Sequence, residues 1–279
     1  MRTDLAKESR AAYPKQPGVI EETVSADGID CVRIEVQTAA AARRLDKPIG
    51  HYTSIALARE TLFDRALMAR AARFAAAELH RLLPAEGTVL VIGLGNRYIT
   101  ADALGTKTAE HILVTRHLQE SFSDVLPTGT RPVCSFCTGV LGVTGIETVE
   151  IVSAVAARLR PAAMLVVDSL AADAPEHLGA VLQMNDTGIA PGAGIGNFRA
   201  ALNRETIGAP VIAVGIPLVV SARSLVRRAD DARARTLAEL FVTPKDIDLL
   251  VKNASRLLAD SINRALHANN LEILQNLLQ

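Results

Sequence analysis

The chain has 279 residues, enough for one large domain or two small ones, and at 49% hydrophobic it can bury a substantial core. With 3% aromatic residues and no Trp, that core must be Ala, Val, Leu and Ile packing. A formal net charge of zero excludes the basic excess of a protein whose main business is holding nucleic acid. Three cysteines and a polar N-terminus without an apolar h-region point to a reducing compartment and no secretory signal. The longest apolar run, 209–222, is broken by Gly215 and Pro217 and is too short to span a bilayer. These features predict a soluble, cytoplasmic protein with no membrane and no nucleic-acid partner.

In chain order, residues 1–26 read as loop, with Pro14 and Pro17, and 29–37 alternates as a strand. Residues 54–83 read as one long Ala-, Leu- and Arg-rich helix stopped by Pro84. Next come a buried strand over 88–92, a turn at Gly93, Leu94, Gly95 and Asn96, and a helix over 103–117 with Thr100 as its N-cap and Asp102 in its first turn. A strand over 131–137 leads to a glycine-spaced loop, with Thr144 or Thr148 capping a helix that ends near Pro161. A strand over 162–167 is predicted to end at Asp168. Residues 180–184 read as a short strand, 186–199 as a glycine-rich loop, 210–215 as a buried strand and 223–240 as an exposed helix. Thr243, Pro244 and Asp246 spell a helix start, with that helix running to about Ala268 and a short apolar helix over 271–278. The βαβ order through the middle predicts a single α/β domain with a mostly parallel central sheet flanked by helices.

Several familiar motifs fail here. The Gly93/Gly95 pair lacks the third glycine of a dinucleotide fingerprint, because position 98 is Tyr98; Gly192/Gly194 lacks it because position 197 is Asn197. No G-x-S-x-G elbow and no H-E-x-x-H pair is present. Cys134 and Cys137 form a lone C-x-x-C, insufficient for a four-ligand zinc site, and read as buried bystander thiols. His111, on the helix after Asp102, is the one histidine kept under review. Two carboxylates remain, Asp102 beyond the first strand's turn and Asp168 at the end of another. In a parallel sheet with right-handed crossovers both reach the C-terminal edge, where ligands bind. Carboxylates brought together do not both ionise readily, so one can hold a proton while the other activates a water. Helix-terminus and turn-cap roles account for each acid taken alone.

Nine segments, in order across nearly the whole chain, resemble the germination protease of spore-forming bacteria: residues 2–6, VIGLGNRYITADALGTK at 91–107, VTRHL at 114–118, RPV at 131–133, GVLGVTGIET at 139–148, LVVDSLAA at 165–172, DTGIAPGAGIGNFR at 186–199, PVIAVGIPLVV at 210–220 and VTPKDIDLLV at 242–251. The resemblance implies an α/β fold shared with hydrogenase-maturation endopeptidases, a homotetramer, and a zymogen of the forespore or spore core that trims its own N-terminus. It also implies an atypical aspartic endopeptidase acting on small acid-soluble spore proteins without a metal or other cofactor. Its proposed catalytic acids fall on Asp102 and Asp168, the two found above. Its substrates are cut after an acid and before an apolar residue followed by Ala and, two residues on, Glu. The sequence Thr3-Asp4-Leu5-Ala6-Lys7-Glu8 looks like an internal copy, so self-cleavage is expected between Asp4 and Leu5, giving a propeptide of residues 1–4 and a peptidase domain of 5–279. Amides of the glycine loops, at Gly95, Asn96, Gly145, Gly192 and Gly194, are the candidates for holding substrate or oxyanion. Compared with the family, the segment over 221–241 is short, and Ala190 stands where a polar residue or His is expected. A metal-dependent endopeptidase with Asp102 and Asp168 as ligands, or an inactive relative that binds spore proteins, are the alternatives.

Overall fold

A computed structural model describes residues 3–13, 17–58, 60–121, 126–196, 199–226, 237 and 239–278. Its centre is one mixed sheet. The strands are β1 (Val19–Ala26), β2 (Ile29–Val36), β3 (Gly50–Ala56), β4 (Val89–Gly93), β5 (Val133–Cys137), β6 (Ala163–Ala172), β7 (Val181–Asn185), β8 (Val211–Ser221) and β9 (Phe241–Val242). Their spatial order is β1-β2-β3-β7-β8-β6-β4-β5, with β9 pairing on β8. The parallel character expected from the βαβ order holds where β5, β4, β6 and β8 lie side by side. From β8 through β7 and β3 to β1 the pairings are antiparallel.

The helices include α1 (Ala6–Ala12), α2 (Ala39–Leu45), α3 (Arg65–Leu82), α4 (Leu104–Ala109), α5 (Arg116–Ser121), α6 (Leu141–Thr144), α7 (Thr148–Leu159), α8 (Arg204–Ile207), α9 (Ile247–His267) and α10 (Leu271–Leu277). They cover both faces of the sheet. On one face, Ala71, Ala75 and Leu79 of α3 and Leu250, Leu257, Leu258 and Ile262 of α9 pack on Val91, Leu165, Val167 and Val214. The buried positions of α9 recur at three- and four-residue spacing, the stripe of a helix laid on a sheet. On the other face, Val152 and Ala156 of α7 meet Leu90, Ile92, Met164 and Val166. Residues alternate between these faces along β4 and β6, so both strands are buried on both sides, as their unbroken apolar runs require.

Several local expectations are corrected. Residues 1–26 are not loop throughout, since they contain α1 and β1. β1 is polar and largely exposed, and its register on β2 holds it in place. The long helix expected over 54–83 begins only at Arg65, where Asp64 Oδ1 accepts the Leu67 N–H at 2.8 Å; residues 54–56 belong to β3. The helix expected over 103–117 is two short helices, α4 and α5. Neither Thr144 nor Thr148 caps α7: Glu147 does, in a reciprocal capping box with Glu150. α9 begins at Ile247, after β9, and without a side-chain cap. Asp168 does not end its strand. β6 continues to Ala172 against β8, with an irregularity between Leu170 and Ala171. Most of the helix expected over 223–240 lies outside the described residues.

Candidate active site

β4 ends at Gly93, paired with Val167 of β6, and Leu94 N–H still donates to Val167 O at 2.9 Å. At the next residue the chain must turn. Gly95 has φ +95°, and a Cβ there would lie 1.9 Å from the Asp102 carbonyl oxygen, so no side chain fits. The turn closes when Asn96 N–H donates to Asp102 Oδ2 at 2.8 Å. Asp102 ends a 3₁₀ turn, Thr100–Asp102, and α4 follows. The first turn of α4 lies directly on the strands: a Cβ at Gly105 would fall 2.2 Å from Val167 O and 2.5 Å from Leu94 O. Thr100 is not the expected N-cap; its hydroxyl donates to Asp248 Oδ1 at 2.9 Å and ties this turn to α9.

Asp168 stands one residue beyond the level at which β4 stops, and is 6% exposed. Its Oδ1 accepts the Ser169 N–H at 2.8 Å. Burial, then the charge of Asp102, push its carboxyl well above the usual carboxylate range; the Ser169 hydrogen bond opposes this and the charge of Asp4 adds to it. Burial also raises Asp102, against the Asn96 hydrogen bond. The two acids expected to meet at the sheet edge line one cavity of about 260 Å³.

Gly95, Asn96 and Gly192 line that cavity as well. The Asn96 N–H, a candidate for holding substrate, is committed to Asp102. Gly145 instead ends α6, its N–H donating to Leu141 O at 2.8 Å. Gly194 lies in a neighbouring cavity of about 420 Å³, where its backbone faces the Asp4 carboxylate. Asp4 lines that second cavity, where its N–H donates to Ala171 O and its Oδ2 accepts Ala171 N–H at 2.8 Å, while Leu5 beside it is fully buried against Leu170, Ala172 and Val181. His111 is exposed and lines neither cavity. Of the two C-x-x-C thiols, Cys134 is half-buried, and Cys137 is exposed rather than buried, with its Sγ 3.7 Å from Thr106 O.

Four polar side chains, three at these cavities and His177 beside the N-terminal segment, carried no expectation from the sequence. Arg199 lines the Asp102/Asp168 cavity and pairs with Glu147 at 2.9 Å. Lys47, Gln183 and His177 hold the N-terminal segment. Gln183 did carry a signal, being a polar residue inside a buried apolar strand; Lys47 sits in a loop and His177 ends the short 3₁₀ turn Pro175–His177, neither with a pattern. Among the described residues no group of three or more His, Cys, Asp or Glu is placed to hold a metal ion. None of the described helices is long and apolar enough to cross a membrane.

The mixed α/β sheet thus carries, beyond the end of β4, a cavity lined by one buried carboxylate, Asp168, and one half-buried, Asp102. A family model described as germination protease matches residues 1–237. A germination protease of Clostridium perfringens is 35% identical over 312 residues, covering 96% of each chain. One of Clostridium tetani is 35% identical, covering 95% of each, and one of a Geobacillus species is 31% identical, covering 96% of this chain and 94% of its own. The chain belongs to the germination protease family. Among solved structures, a NiFe hydrogenase maturation protease from Thermococcus kodakarensis aligns at a TM-score of 0.39 and 18% identity, over 71% of this chain and 99% of that one.

Proposed function

We propose that this protease is an endopeptidase that degrades small acid-soluble spore proteins during germination, with Asp102 and Asp168 sharing the chemistry. The observation that carries the reading is the pair itself: two carboxylates in one cavity, the more buried one pushed well above the usual range. Asp168 holds the proton and Asp102 is the base. Asp102 takes a proton from water as its oxygen attacks the scissile carbonyl carbon. Amides at Gly95 and Gly192 face the developing oxyanion. Asp168 gives its proton to the leaving nitrogen as the C–N bond breaks. Incubating a small acid-soluble spore protein with this chain in chelator tests the reading by mass spectrometry. Cuts after an acid and before an apolar residue support it. Cutting that appears only with added divalent metal would make the pair metal ligands, and substrate bound but intact would make the chain an inactive binder.

The same reading extends to self-processing between Asp4 and Leu5. The sequence copy of the substrate pattern supports it. The bond is shielded: Asp4 O accepts from Gln183 Nε2 at 2.6 Å, and α1 starts one residue past Leu5. A peptidase site takes extended chain, so α1 must unwind at its first turn before the cut. α1 has seven residues and no side-chain cap, which makes it marginal alone. Family membership alone supports a homotetramer in the spore core, a state that sedimentation velocity reads directly.

A further inference from the structure

The N-terminal segment is bound as a foreign peptide would be. With β4 ended at Gly93, β6 runs on, and Asp4 takes both the N–H and the C=O of Ala171. Lys47 Nζ donates to Thr3 O at 2.9 Å; burial raises the Asp4 carboxyl above its usual value, and the Ala171 N–H and the Lys47 charge oppose this. Gln183 straddles the next residue, donating to Asp4 O and accepting Ala6 N–H, each at 2.6 Å. Between these contacts Leu5 fills an apolar socket of Leu170, Ala172 and Val181. Four residues beyond Asp4, the buried Glu8 carboxylate accepts Asp173 N–H at 2.8 Å and Ala174 N–H at 2.9 Å, meets His177 Nδ1 at 2.6 Å, and accepts the Thr3 hydroxyl. Burial pushes Glu8 up, but these hydrogen bonds outweigh it and hold the carboxyl below its usual value.

The receptors come from β6, β7 and loops 44–179 residues away in sequence. They reach the catalytic pair directly. Asp168, Gly215 and Gln183 form one row across β6, β8 and β7. Two strand spacings, about 10 Å, separate Asp168 from Gln183, and the residue between them has no side chain.

We infer that this groove is a peptide subsite, occupied in this structure by the chain's own N-terminus, which selects an acidic residue through Lys47 and the Ala171 and Gly194 amides, an apolar residue next, and a second acid three residues further on through His177 and the Asp173 and Ala174 amides. The inference rests on the peptidase reading and adds the specificity-determining residues, Lys47, Gln183 and His177. The Asp4 N–H bond to Ala171 O and the Gln183 clamp supply affinity, Glu8 is presented by the first turn of α1, and the sockets supply selection.

The test uses the full chain carrying Asp4→Asn and Glu8→Gln, which loosens its own segment, and a fluorescent synthetic peptide with the sequence of residues 1–13. Fluorescence anisotropy is expected to show saturable binding. Peptides with Asn for Asp4, or Gln for Glu8, should each bind about tenfold more weakly, the scale of a lost charge-assisted hydrogen bond. Adding Lys47→Met to the chain should abolish the Asp4 preference and leave the Glu8 preference; His177→Gln should do the reverse. No saturable binding, or equal binding of acidic and amide peptides, overturns the inference. The peptide comparison on a single chain needs no further folded variant. Mass spectrometry of the same mixtures separates the two readings. Acid selection without cleavage upholds the groove and contradicts the peptidase, while equal cleavage of acidic and amide peptides contradicts the groove alone.

Discussion

Burial and the charge of Asp102 push the Asp168 carboxyl well above the usual carboxylate range. Its raised pKa means the native state binds more protons than the unfolded chain between the usual carboxylate range and the raised value. Stability therefore falls as pH rises through that window, by about 1.4 kcal/mol per pH unit. Asp168→Asn removes the cost. Its unfolding temperature should match the parent below the usual carboxylate range and exceed it at neutral pH, as differential scanning calorimetry at several pH values would read. The same substitution should lower peptide cleavage about 10²–10⁴-fold, the range for losing a positioned acid or base. A variant both more stable and inactive is the mark of a functional acid held at a cost in stability. Asp102→Asn should lose activity to a similar degree with a smaller gain in stability, because Asp102 is less buried and its carboxylate is satisfied by the Asn96 N–H.

At the scale of elements, the 3₁₀ turn that carries Asp102 sits where it does only because the first turn of α4, which follows it, rests on bare backbone at Gly105. Gly105→Ala would place a methyl 2.2 Å from Val167 O, forcing α4 off the sheet. Cleavage should fall at least tenfold, with a loss of about 1–3 kcal/mol in urea unfolding. Leu258 of α9, fully buried in the apolar core on that face of the sheet and lining neither cavity, is the contrasting position. Leu258→Ala should cost about 2–5 kcal/mol while kcat per folded molecule stays unchanged. How far these elements were legible in sequence follows from the same physics. Buried parallel strands announce themselves as unbroken apolar runs, so β4, the start of β6 and β8 were readable, and with them the placement of both acids. β3 was absorbed into the helix reading because its small residues run straight into the Ala-rich α3, and the Asp64 cap that separates them was passed over. β1 and α1 carry no apolar pattern; pairing with β2 and docking on β6 and β7 hold them, and those are long-range contacts. The continuation of β6 past Asp168 was hidden for a similar reason, since Ser169 and the small residues after it looked like a strand's end.

Across the whole molecule, the Asp102/Asp168 pair and the groove holding residues 3–8 lie on the same side of one sheet, bridged by Gly215. The activity-versus-pH profile should therefore be a bell that belongs to the pair rather than to either acid. Its alkaline limb should stand above the usual carboxylate range if loss of the Asp168 proton, raised by burial and by Asp102, is what ends activity. A limb inside that range would mean the pair is not coupled. The most direct measurement is cleavage of a small acid-soluble spore protein in chelator by the parent chain and by Asp168→Asn, with every product identified by mass. The account predicts cuts after acidic residues by the parent and an intact substrate with the variant, even though the variant is the more stable protein. Equal cutting by the two would contradict it and remove Asp168 from the chemistry.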